Sequence, residues 1–139
     1  MKISTKGRYA LRVLIDLAQN GQNRNVSIRE IAARQEISDK YLEGIVSRLN
    51  AAGFVSSVRG KYGGYRLTRT LREYTVYEVL LATEDSVALV SCLEDEVNCC
   101  PYKDNCLTLP LWSHMQDYIK RHMEEITLQD VLERRFVVN

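Results

Sequence analysis

The chain has 139 residues and a mass of 16.0 kDa, room for one compact domain with an appended element and too little for two independent catalytic domains. With 45% hydrophobic and 27% charged residues it has the composition of a soluble globular protein, and no window approaches the roughly 18 consecutive apolar residues of a membrane span. The net charge of +1 conceals an asymmetry, because residues 1–70 hold 13 Lys/Arg against 5 Asp/Glu while residues 71–139 hold 6 against 13; a basic half suits a surface that neutralises phosphates, and also an acidic protein partner.

Tyr9, Leu11, Val13, Leu14, Leu17 and Ala18 recur at helical spacing and Asn20-Gly21 closes the run, which predicts a helix over 5–20. Arg12 and Asp16 interrupt this apolar stretch and no small-residue cleavage site follows, so it reads as a mature helix and the protein is expected in the cytoplasm. Ser27 and Glu30 have the spacing of a capping box, opening a helix over about 28–35. Ser38 caps the next, whose apolar positions Tyr41, Leu42, Ile45, Val46 and Leu49 lead to a stop at Gly53. Two short helices separated by Glu36-Ile37-Ser38 form a helix-turn-helix pattern, whose second member fits a DNA major groove.

FVSSV and YRLTRT follow as period-2 segments joined by RGKYGG, a basic hairpin with glycines where a tight turn needs positive φ. A basic hairpin directly after a recognition helix is a wing. Thr75 and Glu78 then open a helix through about Ala82 that packs on the core. Residues 91–109 are acidic and aperiodic and contain all four cysteines, Cys92, Cys99, Cys100 and Cys106. Pro110 stands at the start of a long helix, since a first-turn proline loses no hydrogen bond. Leu111, Trp112, Met115, Tyr118, Ile119, Met123 and Ile126 form its apolar stripe, and Thr127 with Asp130 opens a short terminal helix. The expected fold is mainly α with a small β-wing. It divides into a winged helix-turn-helix DNA-binding domain over 1–85, a cysteine-rich effector loop over 86–109, and a dimerisation helix with the C-terminal helix over 110–139.

Cysteine clustering in a cytosolic chain favours metal binding or thiol chemistry over a disulfide framework. The spacings are C-x6-C from Cys92 to Cys99 and C-x5-C from Cys100 to Cys106; thiolates so placed could wrap an iron–sulfur cluster or a tetrahedral zinc. Cys99-Cys100 could instead be a redox switch, although neighbouring carboxylates should raise thiol pKa. An enzyme has little to stand on: there is no nucleophile–base pairing, no phosphate-cradling loop, and only two histidines, both in the long helix.

MKISTKGRYAL at the start, ISDKYLEGIVSRLNAAGFVSSVRGKYGGYRL in the middle, and the cysteine loop running into CLTLPLW resemble the winged-helix regulators that include the iron–sulfur regulator IscR, the nitric-oxide-responsive NsrR and the cysteine-metabolism regulator CymR. The resemblance covers nearly the whole chain. It implies a homodimeric regulator, a repressor by preference, whose long helices cross so that each N-terminal domain reads one half of a double-stranded DNA operator. It places DNA contacts at Ser38, Lys40, Tyr41 and Glu43 on the recognition helix and at Arg59 and Lys61 in the wing. Lysines neutralise phosphates, Ser38 and Tyr41 donate to phosphate oxygens, Glu43 accepts from a cytosine amino group, and Arg59 suits a narrow minor groove. Lys6 and Arg8 are further backbone candidates.

The resemblance also implies an iron–sulfur cluster, 2Fe-2S ahead of 4Fe-4S, with Cys92, Cys100 and Cys106 matching the cluster-binding members' three cysteines. The fourth position departs from the pattern. Leu109 stands where IscR-like members have histidine, and Arg8 where NsrR-like members offer an acidic residue. His114 lies eight residues past Cys106, about 12 Å along a helix. Cys99 is therefore the leading fourth metal ligand. The alternative is a cluster-free regulator controlled by a protein co-regulator, as in CymR-like members, or by cysteine redox state.

Overall fold

The computed structural model describes residues 1–136, so the last three positions of the expected 110–139 segment lie outside the described residues. The helices are α1 (Thr5–Asn20), α2 (Ile28–Gln35), α3 (Asp39–Ala51), α4 (Val76–Thr83), α5 (Leu109–Glu125) and α6 (Leu128–Leu132). Strands β1 (Val55–Val58) and β2 (Gly64–Leu67) pair antiparallel, with Val55 opposite Leu67 and Val58 opposite Gly64. The expected caps form: Ser27 with Glu30, Thr75 with Glu78 and Thr127 with Asp130 are reciprocal capping boxes, and Ser38 Oγ accepts from the Tyr41 amide. Each satisfies amides that a helix start leaves unpaired, which explains why these boundaries were readable.

One apolar core joins α1, α2, α3 and the wing. Val13, Leu14, Leu17, Ile31, Leu42, Ile45, Val46, Leu49, Val55, Val79 and Leu128 are all buried in it. The C-terminal element is part of this packing. Leu128 of α6 is fully buried, Leu128 N–H donates to Tyr74 O, and Val76 N–H donates to Ile126 O. The chain therefore runs out along α5 and returns to the N-terminal unit.

The second strand ends at Leu67 rather than continuing through Thr70 as YRLTRT suggested. Thr70 opens a 3-10 turn with Glu73, and the buried Tyr74 hydroxyl gathers the strand end, accepting from the Thr68 and Arg69 amides (3.2 and 3.1 Å) and donating to Phe54 O (2.7 Å). Tyr74→Phe is expected to lower unfolding stability by about 1 kcal/mol, because the Arg69 amide loses its acceptor while the Thr68 amide and the Phe54 carbonyl keep only the 3.3 Å bond between them; urea denaturation measures it, and a loss under about 0.3 kcal/mol would contradict this role.

Asp16 is buried at 2% relative exposure on α1. Arg34 donates to it from Nε and Nη2, at 3.0 and 2.7 Å, and Gln35 Nε2 donates at 2.8 Å. Arg12 reaches from α1 to Gln35 O and Oε1. Together these polar contacts fix the end of α2, where Glu36 takes a left-handed conformation (φ +55°) and turns the chain into α3.

Candidate nucleic-acid interface and cysteine loop

The amphipathic pattern of α3 decides which side chains reach solvent. Leu42, Ile45, Val46 and Leu49 face the core, which leaves Ser38, Lys40, Tyr41 and Glu43 on the exposed side, all four solvent-accessible. Arg59 and Lys61 are exposed in the turn between β1 and β2. The helix and hairpin that carry the six expected contacts adjoin in sequence and pack together, and among the described residues neither Arg59, Lys61, Lys40 nor Glu43 is engaged in an ion pair. Tyr41 is braced from α1: its ring meets Tyr9 edge-on at 6.0 Å, and the Arg12 guanidinium lies 4.9 Å from the Tyr9 centroid. Sequence reasoning missed this support, since Tyr9 and Arg12 are separated from Tyr41 by a whole helix.

The other two basic candidates are already partnered. Lys6 lies 3.7 Å from Asp85, and Arg8 donates to the Thr5 hydroxyl. Asp85 also meets Arg48 of α3, and Arg48 donates to Thr83 O at 3.1 Å. Next to this junction Glu84 accepts from both the amide and the hydroxyl of Ser4 at 2.9 Å. Gly7 permits that approach, because a Cβ there would come within 2.1 Å of the Glu84 carboxylate. The segment entering the cysteine loop is thus tied to both α1 and the recognition helix.

Within the loop Cys92 sits on a 3-10 turn, Ser91–Leu93. Cys92, Cys99 and Cys100 line one cavity of about 250 Å³ together with Ser91, Asp95 and Val97. Cys106 is placed differently, just before α5, with its sulfur 3.5 Å from Thr108 Oγ1. Hydrogen bonding from the Thr108 hydroxyl, then from the Thr108 and Leu109 amides, holds this thiol below its ordinary pKa. The donors that lower it belong to the start of α5, next to the sulfur in sequence.

All four cysteines are free thiols. Soft thiolates are suitable donors for iron–sulfur or zinc, but among the described residues no three His, Cys, Asp or Glu side chains converge as a metal-holding set. The donor chemistry fits such a group; the positions in this structure define no ligand geometry for it. Gln116 of α5 spans the loop on either side of Cys92, accepting from the Leu89 amide at 3.0 Å and donating to Leu93 O at 3.3 Å.

No residue of α5 is buried. The apolar stripe is split by the fold: Ile119 and Met123 face a small cavity with Met1, Tyr77, Val87 and Leu89, while Leu111, Met115 and Tyr118 stay exposed at 51%, 40% and 65%. Among the described residues no helix is long and apolar enough to cross a membrane.

The family model described as Rrf2, iron-dependent transcriptional regulator, matches residues 3–134. The protein named rrf2 from Nitratidesulfovibrio vulgaris is 39% identical over 132 residues, covering 95% of this chain and 87% of that protein. The HTH-type transcriptional regulator IscR of Photorhabdus laumondii is 38% identical over 139 residues, covering 100% of this chain and 84% of its own. Among solved structures, CymR (YrzC), the global cysteine regulator of B. subtilis, superposes with a TM-score of 0.75 at 36% identity, covering 96% of this chain and 98% of that one.

Proposed function

The chain belongs to the Rrf2 family of transcriptional regulators, and from that membership we propose that it is a homodimeric, cytoplasmic repressor that binds a double-stranded DNA operator and answers to an iron–sulfur cluster in its cysteine loop. DNA-binding regulation is supported by relatives named as an HTH-type transcriptional regulator and as a global cysteine regulator, and none of the named relatives is named as an enzyme. The observation that carries the specific reading is the exposure of Ser38 at the cap of α3, of Lys40, Tyr41 and Glu43 on it, and of Arg59 and Lys61 on the hairpin packed beside it. A helix of this kind enters the major groove while the hairpin reaches the adjoining backbone or minor groove. Ser38, Lys40 and Tyr41 would position the protein on phosphates, and Glu43 and Arg59 would read bases or groove width. Arg59→Ala is expected to weaken operator binding by ~1–3 kcal/mol, and Lys2→Ala to change it little; titration of a labelled operator duplex measures both, and an unchanged affinity for Arg59→Ala removes the wing from the reading.

The homodimer is supported by α5, whose exposed apolar residues Leu111, Met115 and Tyr118 form a face that a second copy would cover. Cys92, Cys99, Cys100 and Cys106 would hold the cluster, 2Fe-2S ahead of 4Fe-4S, when the loop closes. A bound cluster supplies redox-sensitive iron. Any effect on DNA must then come from a difference in its interaction with two arrangements of the protein. Gln116 and the Thr83–Asp85 junction are the contacts through which loop position would reach α5 and α3. Anaerobic purification with an absorption spectrum and iron, sulfide and zinc analysis tests the cluster: iron and sulfide in matching amounts with visible charge-transfer bands are expected, and colourless, iron-free protein after reconstitution would overturn it.

A second reading, a cluster-free regulator controlled by a protein co-regulator or by thiol oxidation, has one observation in its favour: all four cysteines are free thiols, and Cys99 is exposed next to Cys100 on the same cavity. Likeness to CymR also supports it. Replacing Cys92, Cys100 and Cys106 together by alanine separates a co-regulator from the cluster, since partner-regulated DNA binding survives that change and cluster-regulated binding does not; thiol control is told from the cluster by regulation that persists in iron-free protein with its cysteines intact.

A further inference from the structure

We propose that Asn25, in the loop between α1 and α2, is the positioning residue of the wing, fixing where Arg59 and Lys61 meet DNA; this rests on the wing's role as a DNA contact given above. Each strand of the hairpin has four residues, and an isolated two-stranded hairpin is marginal in water. The loop before α2 supplies a short third edge, with Val26 N–H donating to Tyr65 O (2.9 Å) and Tyr65 N–H to Val26 O (2.8 Å). Gly64 makes room for this edge, since a Cβ there would lie 2.5 Å from Val26 O. Those bonds hold β2 and leave the turn between the strands, which carries the expected contacts, to be held by something else.

Asn25 does so. Its Nδ2 donates to Tyr62 O in the turn at 3.1 Å, and its Oδ1 accepts from Arg66 Nε of β2 at 3.1 Å. A carboxamide is the short side chain that donates and accepts at once through fixed geometry, so one residue grips the turn and the strand together. Within the turn the described backbone bond is Gly63 N–H to Gly60 O. The Tyr62 side chain is 82% exposed and gives the turn no anchor in the core. Asn25, Lys61, Tyr62 and Arg66 line a common groove, which places the strut beside one of the cations it positions. A cation reading a groove must be held to a fraction of an ångström, and that is what this strut contributes.

The test uses a duplex recovered by the wild-type protein from a randomised pool, titrated against the full-length chain. Asn25→Ala is expected to weaken binding roughly fivefold, with the melting temperature kept and the Gly63 amide exchanging faster with solvent. In a background where Arg59 and Lys61 are both alanine the same change is expected to cost under about twofold, because a strut has no effect on contacts already removed. Equal losses in both backgrounds, or unchanged binding with unchanged Gly63 exchange, would overturn the proposal. Asn25→Ser, which keeps a polar group in the loop, repeats the cycle if the alanine variant unfolds. Should Arg59→Ala and Lys61→Ala both leave affinity intact while Asn25→Ala still speeds Gly63 exchange, the wing's role in DNA binding fails, and the functional half of this proposal with it.

Discussion

Met115→Asp combined with Tyr118→Asp is expected to leave a folded monomer whose operator affinity has fallen by roughly a hundredfold or more. The fold survives because both side chains stand in solvent, at 40% and 65% exposure, and contribute little to the core of their own chain. In the proposed homodimer, association fails because two aspartates per subunit would have to be buried, unpaired, against the mate's identical face. The loss of DNA affinity follows from valency: with the subunits joined, the second half-site is engaged at an effective concentration of the order of millimolar, and that advantage of about 10² or more disappears in the monomer. Sedimentation velocity and titration of the operator duplex check the two parts, and a dimer that persists with both substitutions would place the interface elsewhere. Ile119 is the wrong residue for this experiment despite belonging to the same apolar stripe, because it faces Met1, Tyr77 and Leu89 of its own chain; charging it would confuse folding with association.

Arg34→Ala is expected to destabilise the chain by about 3 kcal/mol, the largest single-residue effect on stability to be drawn from its charges. Most exposed ion pairs here, such as Lys120 with Glu124, are worth a few tenths of that. Asp16 differs because its side chain is 2% exposed while Arg34 is at 33%, so deleting the arginine leaves a carboxylate that cannot recover its water and, among the described residues, keeps only the Gln35 amide as a side-chain donor. Arg34→Lys is expected to restore part of the loss, since an ammonium cannot reproduce the two parallel N–H donors of the guanidinium. Urea denaturation should show a lower midpoint at unchanged slope. A loss below about 1 kcal/mol would mean that Asp16 is hydrated once the arginine is gone. Because α2, the left-handed Glu36 and the cap of α3 follow one another in sequence, the same variant tests whether this pair also holds the recognition helix in place.

Helix starts were legible because they depend on local chemistry: Ser27 and Glu30, Thr75 and Glu78, and Thr127 and Asp130 satisfy their own amides within four residues. The family was legible for a related reason, since the block from Ile37 to Leu67 carries turn, helix and hairpin signals in a fixed order. Lys40, Tyr41 and Glu43 lie on the exposed side of α3, which period alone determines once Leu42, Ile45, Val46 and Leu49 face inward, while Ser38 at its cap and Arg59 and Lys61 in the hairpin turn are exposed by their place at the ends of elements. The cysteine loop was the least legible part. It has no hydrophobic period, so nothing local says which thiols meet, and the structure groups Cys92, Cys99 and Cys100 around one cavity where the resemblance matched Cys92, Cys100 and Cys106.

By itself, then, the sequence determined the order and type of the elements, their caps, the basic character of the N-terminal half and the family, because these are set by side chains within a turn or two of one another. Tertiary structure alone decided that Asp16 pairs with Arg34, that Asn25 grips the wing, that Tyr74 closes the end of β2, that Leu128 returns to the core, and which half of the α5 stripe faces outward. Each of these joins residues distant in sequence, and apolar periodicity specifies that a face is buried without specifying against what.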